Sequence, residues 1–253
     1  MIGKLLSFDF ILAIVIIVLI MKTNFKHKKV IFYLWCLLYI NSIVLYLRII
    51  LWFTMLKLGY DRDIETKKLC NFIIKQNNLK IIDNFDTKLP KIKTIFVVNY
   101  PHCELEYLIM RMLPIDVCGV ATDSTVGNLM KLSGNEDKFI MIKLHKQSNY
   151  NLLKQEIKEK IKTMSIWAYA ENILKRYDPS RIALPIRTGL FAISNELNIP
   201  ITPVYVSRIQ HNCGRIVGNF IVIKLGETHV VKNIKETKNY VTKFFQENHK
   251  KYY

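Results

Sequence analysis

Apolar and polar positions change period near residue 60, and the chain is read in two parts on that account. Residues 10–21 (FILAIVIIVLIM) form an unbroken apolar run, which Leu5, Leu6 and Phe8 extend past Asp9 to roughly 17 residues, the lower limit for crossing a bilayer core. No small-residue cleavage site follows Met21-Lys22, so a retained anchor is expected rather than a removed signal peptide. A second apolar stretch, 30–56, is interrupted by Asn41-Ser42 and Arg48 and carries Trp35, Tyr39, Tyr46 and Trp52, the pattern of a helix that bends or lies at an interface. Basic residues follow both runs (Lys22, Lys26, Lys28, Lys29; then Lys57, Arg62, Lys67, Lys68). Two full spans cannot put both basic segments on the cytoplasmic side, so one span plus one re-entrant or interfacial helix is expected.

Beyond residue 60, short apolar runs alternate with helical ones. Strands are predicted over 94–99, 116–121, 139–143, 165–169, 201–206 and 220–225, each nearly continuously apolar, as strands buried on both faces are. Helices are predicted over 65–77, 104–113, 150–163, 188–197 and 234–248. The alternation reads as an α/β fold, a central mostly parallel sheet covered by helices on both faces, with N-terminal membrane-associated helices. The expected division is membrane-anchoring helices over 1–58 and one α/β domain over 59–253.

Composition narrows this picture. With 51% hydrophobic residues the chain has enough apolar surface to fold, which excludes disorder as its main state. The 37 Lys+Arg against 20 Asp+Glu leave +17, which makes a polyanionic partner plausible: an anionic membrane, nucleic acid or a phosphorylated small molecule. Compositional bias with solvating lysines accounts for the same charge, and no nucleic-acid-binding motif is visible, so no specific nucleic-acid partner is expected. Cys36, Cys70, Cys103, Cys118 and Cys213 show no metal-ligand or disulfide spacing, so no metal site is expected.

Three segments carry candidate chemistry. The run Asn99-Tyr100-Pro101-His102-Cys103-Glu104-Leu105-Glu106 puts a histidine where the first predicted strand of the sheet turns into a helix, the end at which open α/β sheets gather their ligands. Glu106, one helical turn on, is placed to hold one ring nitrogen and leave the other as a general base. Taken alone, this pattern also fits a surface histidine beside two solvated glutamates. The second segment, Ile166-Trp167-Ala168-Tyr169-Ala170-Glu171-Asn172, ends a strand in an acid and precedes Lys175, Arg176, Arg181 and Arg187; it fits either an anion-binding site or a surface ion-pair cluster. In the third, Pro185-Ile186-Arg187-Thr188-Gly189-Leu190-Phe191 opens a short helix that leads to Asn198-Ile199-Pro200-Ile201-Thr202-Pro203-Val204.

In this order the segments resemble the phospholipid/glycerol acyltransferase superfamily, which includes the lysophosphatidic acid acyltransferases, over roughly residues 94–206. Ile199 to Val204 are similar to that family's I-P-I/V-x-P-V strand, and Arg187 to Phe191 to its K/R-x-G-x-F helix start. Tyr169-Ala170-Glu171-Asn172 corresponds to its F-P-E-G, with the Pro and Gly replaced. Its N-H-x-x-x-x-D box is altered most: Asn99 is kept, Tyr100-Pro101 intervenes before His102, and the acid is Glu106. Tyr-Pro-His-Cys also resembles the His-Pro-His-Gly box of diacylglycerol acyltransferases.

The resemblance implies a membrane-bound, integral or monotopic enzyme, its catalytic domain facing the cytoplasm. It would transfer a fatty acyl group from acyl-CoA, a co-substrate, to a lysophospholipid or diacylglycerol hydroxyl, most simply that of lysophosphatidic acid, with no further cofactor. His102 would be the base and Glu106 its orienting acid, with Asn99, Lys143, Glu171, Arg176, Arg181, Arg187 and Gly189 binding substrate.

Overall fold

The computed structural model describes residues 47–52, 54–56, 58–76, 80–99, 110, 113–122, 136–142, 149–170, 186–207, 210–212, 215–217 and 220–252. The chain builds α1 (Arg62–Gln76), β1 (Lys80–Ile82), α2 (Phe85–Lys88), β2 (Ile95–Val98), β3 (Val117–Thr122), β4 (Phe139–Ile142), α3 (Asn149–Lys160) and β5 (Ser165–Tyr169). It continues through α4 (Gly189–Leu197), β6 (Ile201–Val206), β7 (Gln210–Asn212), β8 (Arg215–Val217), β9 (Phe220–Leu225) and α5 (Ile234–Tyr252). Seven strands form one sheet in the order β1-β9-β6-β2-β5-β3-β4, and β7 and β8 pair as a separate hairpin. From β6 to β4 the strands are parallel; β9 runs against β6, and β1 runs with β9. The expected α/β sheet with helices on both faces is therefore present.

Strand alternation divides the core into two layers. Ile95, Val97, Ile166, Ala168, Ile201 and Tyr205 point to the side covered by α3, α4 and α5, through Ile157, Phe191, Ile193, Val241 and Phe245. Phe96, Val98, Trp167, Val204 and Val206 point to the other, where Met110, Leu113, Ile74 of α1 and Phe85 of α2 pack. Because both faces are covered, hydrophobic runs without alternation were the right signature for these strands.

Proline in a strand removes a ladder donor, and the central strand β6 contains Pro203. Its carbonyl accepts from Gly226 N at 2.8 Å, just past the end of β9, and the regular pairing resumes only at the Ile201–His229 bridge. The missing N–H thus falls where the neighbouring strand has already stopped. A Cβ on Gly226 would lie 2.6 Å from Pro203 Cγ, so glycine there lets the two segments meet.

The helical residues 47–52 and 54–56 pack on α1: Trp52 is buried with Leu69, Cys70 and Ile73, and its Nε1 donates to Thr66 Oγ1 at 3.3 Å. On the outer side Leu47, Ile50 and Leu51 are exposed, as are Leu58 and Ile64 beyond. Among the described residues no helix is long and apolar enough to cross a membrane. The apolar runs 10–21 and 30–46 lie outside the described residues, as does most of the helix expected over 104–113.

Candidate active site

The corner at the carboxyl ends of β2 and β5 is set by how the chain leaves these adjacent strands. After β2 the connection crosses the layer of Met110 and Leu113; after β5 it goes to the opposite face, to α4. Adjacent strands whose connections part to opposite faces leave a crevice between them, the place where ligands enter open α/β sheets. Of the three segments singled out in the sequence, the described parts, Asn99, Tyr169-Ala170 and Ile186 to Phe191, lie at these strand ends; residues 100–106, 171–172 and 185 lie outside the described residues.

Their backbones are joined there by long-range hydrogen bonds. Ala170 N donates to Val98 O at 3.0 Å, which carries the β5 strand one step past its pairing with β2. Arg187 N in turn donates to Ala170 O at 2.8 Å, fixing the segment before α4 to the end of β5. On the other side of β2, Asn99 N donates to Val204 O at 3.3 Å.

The Asn99 side chain is committed to the same edge. Its Nδ2 donates to Val206 O at 2.9 Å and its Oδ1 accepts from Val206 N at 2.6 Å, an amide imitating one more residue of strand. The residue is buried, with 6% exposure. Sequence reasoning assigned Asn99 to substrate; in the structure its side-chain bonds hold the end of β6 to the end of β2, and with it the start of the segment that leads to His102. Two other side chains use the same device. Asn84 brackets Leu225 through N at 2.8 Å and O at 2.9 Å, and Ser207 Oγ accepts from Val222 N at 3.0 Å.

Arg187 is exposed at the crevice, and Gly189 begins α4, whose first amide groups face the carboxyl end of the sheet, a setting that favours anions. A Cβ on Gly189 would meet nothing within 4 Å among the described residues, so packing does not demand a glycine there. His102, Glu106, Lys143, Glu171, Arg176 and Arg181 lie outside the described residues. Among the described residues no group of three or more His, Cys, Asp or Glu side chains could hold a metal ion. Sequence reasoning missed Ser207, for which a serine directly after a predicted strand was the available signal; Trp167 lay inside the second segment but was given no role there.

No family model and no curated protein matches the chain. Its architecture is similar to the crystal structure of the 1-acyl-sn-glycerophosphate (LPA) acyltransferase PlsC from Thermotoga maritima, with a TM-score of 0.61, over 84% of this chain and 94% of that one, at 12% identity. At that identity the likeness is one of fold.

Proposed function

We propose that this chain is a membrane-associated acyltransferase that moves a fatty acyl group from a thioester donor, acyl-CoA, to the free hydroxyl of a glycerolipid, lysophosphatidic acid first among them. The observation that supports the reading is that Asn99, Ala170 and Arg187, one residue from each acyltransferase-like segment, are hydrogen-bonded at adjacent strand ends in a sheet whose fold is similar to that of PlsC.

In this reading His102, three residues past Asn99, takes the proton of the acceptor hydroxyl, and Glu106 holds the imidazole in the required tautomer. The hydroxyl oxygen attacks the thioester carbonyl, and the thiolate of coenzyme A leaves with the proton returned by the imidazole. Backbone amides at the start of the helix expected after His102, with donors near Gly189, stabilise the oxyanion. Arg187, with Lys143, Arg176 and Arg181, receives the phosphate of the lipid or of coenzyme A, while Glu171 places the acceptor. The exposed Leu47, Ile50, Leu51, Leu58 and Ile64, next to the apolar N-terminal runs, support an active site held at the lipid boundary.

The test is release of coenzyme A over a panel of lysophosphatidate, other lysophospholipids, glycerol 3-phosphate and diacylglycerol. The Tyr-Pro-His-Cys sequence is the reason diacylglycerol belongs in it. His102→Ala lowers turnover about 10²–10⁴-fold. Undiminished turnover in that variant removes the base; no turnover on any acceptor removes the reading and favours an acyl-lipid-binding protein on the same fold.

A further inference from the structure

Trp167 stands in the middle of β5, in register with Phe96 of β2 on one side and Gly119 of β3 on the other. It is 2% exposed, and among the described residues its indole Nε1 has no hydrogen-bond partner. Indole nitrogen is a donor only, and buried donors without an acceptor are rare enough to call for a reason. Among the described residues no acceptor stands nearby. The Phe96 and Tyr169 rings lie 6.3 and 6.4 Å away, and the flanking backbones are spent in the sheet ladder. Gly119 is there to admit other apolar groups, since a Cβ on it would lie 2.6 Å from the Phe139 ring and 3.1 Å from Met110 Sδ.

These surroundings define the missing acceptor. Among the described residues of this layer a charged phosphate finds Phe, Met and Trp but no counter-ion, and a lone water needs two to four polar partners where one is offered. The complement of a single N–H in an apolar layer is a neutral carbonyl carried on hydrocarbon. Trp167 lies two residues, about 6.7 Å along the strand, inside Tyr169 and the crevice. It faces the layer crossed by the connection from β2, which carries Met110 and Leu113.

We infer that the Trp167 indole N–H receives the ester carbonyl of an already acylated acceptor lipid, and so selects acceptors that carry an ester-linked chain. The inference rests on the acyltransferase reading above. In a lysophosphatidate, two carbons and an ester oxygen separate the reactive hydroxyl from that carbonyl. With the hydroxyl at the strand ends, the carbonyl reaches one pleat deeper. The thioester carbonyl of the donor must remain at the crevice with the reacting oxygen, which leaves this one for Trp167.

The experiment compares 1-acyl lysophosphatidate with its 1-O-alkyl ether analogue of equal chain length, which lacks only the carbonyl, using the full chain in lipid vesicles. The wild type prefers the ester by about tenfold in kcat/KM, the effect of one hydrogen bond. In Trp167→Phe, which keeps the ring and removes the donor, the ratio falls to about one; a merely structural role would lower both substrates together and leave the ratio unchanged. A wild-type ratio of about one, or a ratio untouched by Trp167→Phe, overturns the inference while leaving the acyltransferase reading standing. Absence of turnover with either lipid overturns both. Should Trp167→Phe fail to fold, the wild-type chain decides alone: with ¹⁵N-labelled indoles, one of the three tryptophan N–H resonances moves downfield with the ester and stays in place with the ether. Equal movement with both lipids, or none, refutes the assignment.

Discussion

Asn99→Ala tests whether the crevice is held together as described. The substitution removes both bonds to Val206, accepted at 2.6 Å and donated at 2.9 Å, and leaves that residue's N–H and C=O unpaired. The site is 6% exposed, so solvent does not replace them readily. An unsatisfied buried group costs about 1–3 kcal/mol, so the two together cost about 2–6 kcal/mol before the edge relaxes. At about 2–4 °C per kcal/mol for a chain of this size, the lower bound is a melting point about 4 °C below wild type. Asn99→Asp separates bonding from bulk: one carboxylate oxygen still accepts from Val206 N, while the other faces Val206 O with no proton to give. Protonation repairs that contact, so this carboxyl titrates above its unfolded value, and Asn99→Asp loses stability as the pH rises above about 4. Circular-dichroism melts at acid and neutral pH, in one detergent, measure both. A melting point for Asn99→Ala equal to wild type, with only the acceptor KM raised, would show that the side chain binds substrate and would refute the positioning role.

Four further outcomes follow from the packing and the titrating groups. Gly226→Ala puts a Cβ 2.6 Å from Pro203 Cγ and 3.1 Å from Tyr240 Oη, an overpacking worth about 1–3 kcal/mol, and Pro203→Ala restores part of it in a double-mutant cycle by urea denaturation. Tyr150 Oη donates to Glu196 at 2.6 Å; desolvation and that bond push the phenol up to about 12, so its contribution is full below about pH 10 and fades as the pH climbs through 12. Tyr150→Phe flattens that alkaline loss in melts between pH 9 and 12. The Glu196 carboxyl is held low by hydrogen bonds from Lys154 and Tyr150, so its support is present above the ordinary carboxylate range and disappears as acid protonates it; Glu196→Gln removes this acid-side loss. Burial pushes the Cys118 thiol up to about 11, so maleimide at pH 8 modifies Cys118 only at the rate of unfolding, as read by peptide mass mapping.

What was legible in the sequence is what burial writes there. Residues 165–169, 201–206 and 220–225 announce themselves as continuous apolar runs because both faces of the sheet are covered, and their observed bounds are the predicted ones. Where an end differs, tertiary contacts lie at it: β3 begins at Val117, next to Asp116, which meets Lys138 at 3.6 Å, and α5 continues to Tyr252, whose ring stacks on Tyr205 at 6.4 Å. β1, with three residues, is shorter than any period that could reveal it, and it exists because β9 offers it an edge. The hairpin of β7 and β8 leaves only a faint trace in the sequence, the glycine of Asn212-Cys213-Gly214 between two runs of three residues. The site divides in the same way. Sequence order located Asn99, Ala170 and Arg187, but their joining rests on bonds between residues 17 to 107 positions apart, which no local pattern encodes. Trp167 shows the limit most clearly: in the run SIWAY it reads as one more apolar residue, and only the absence of an acceptor around Nε1 turns it into a question about a ligand.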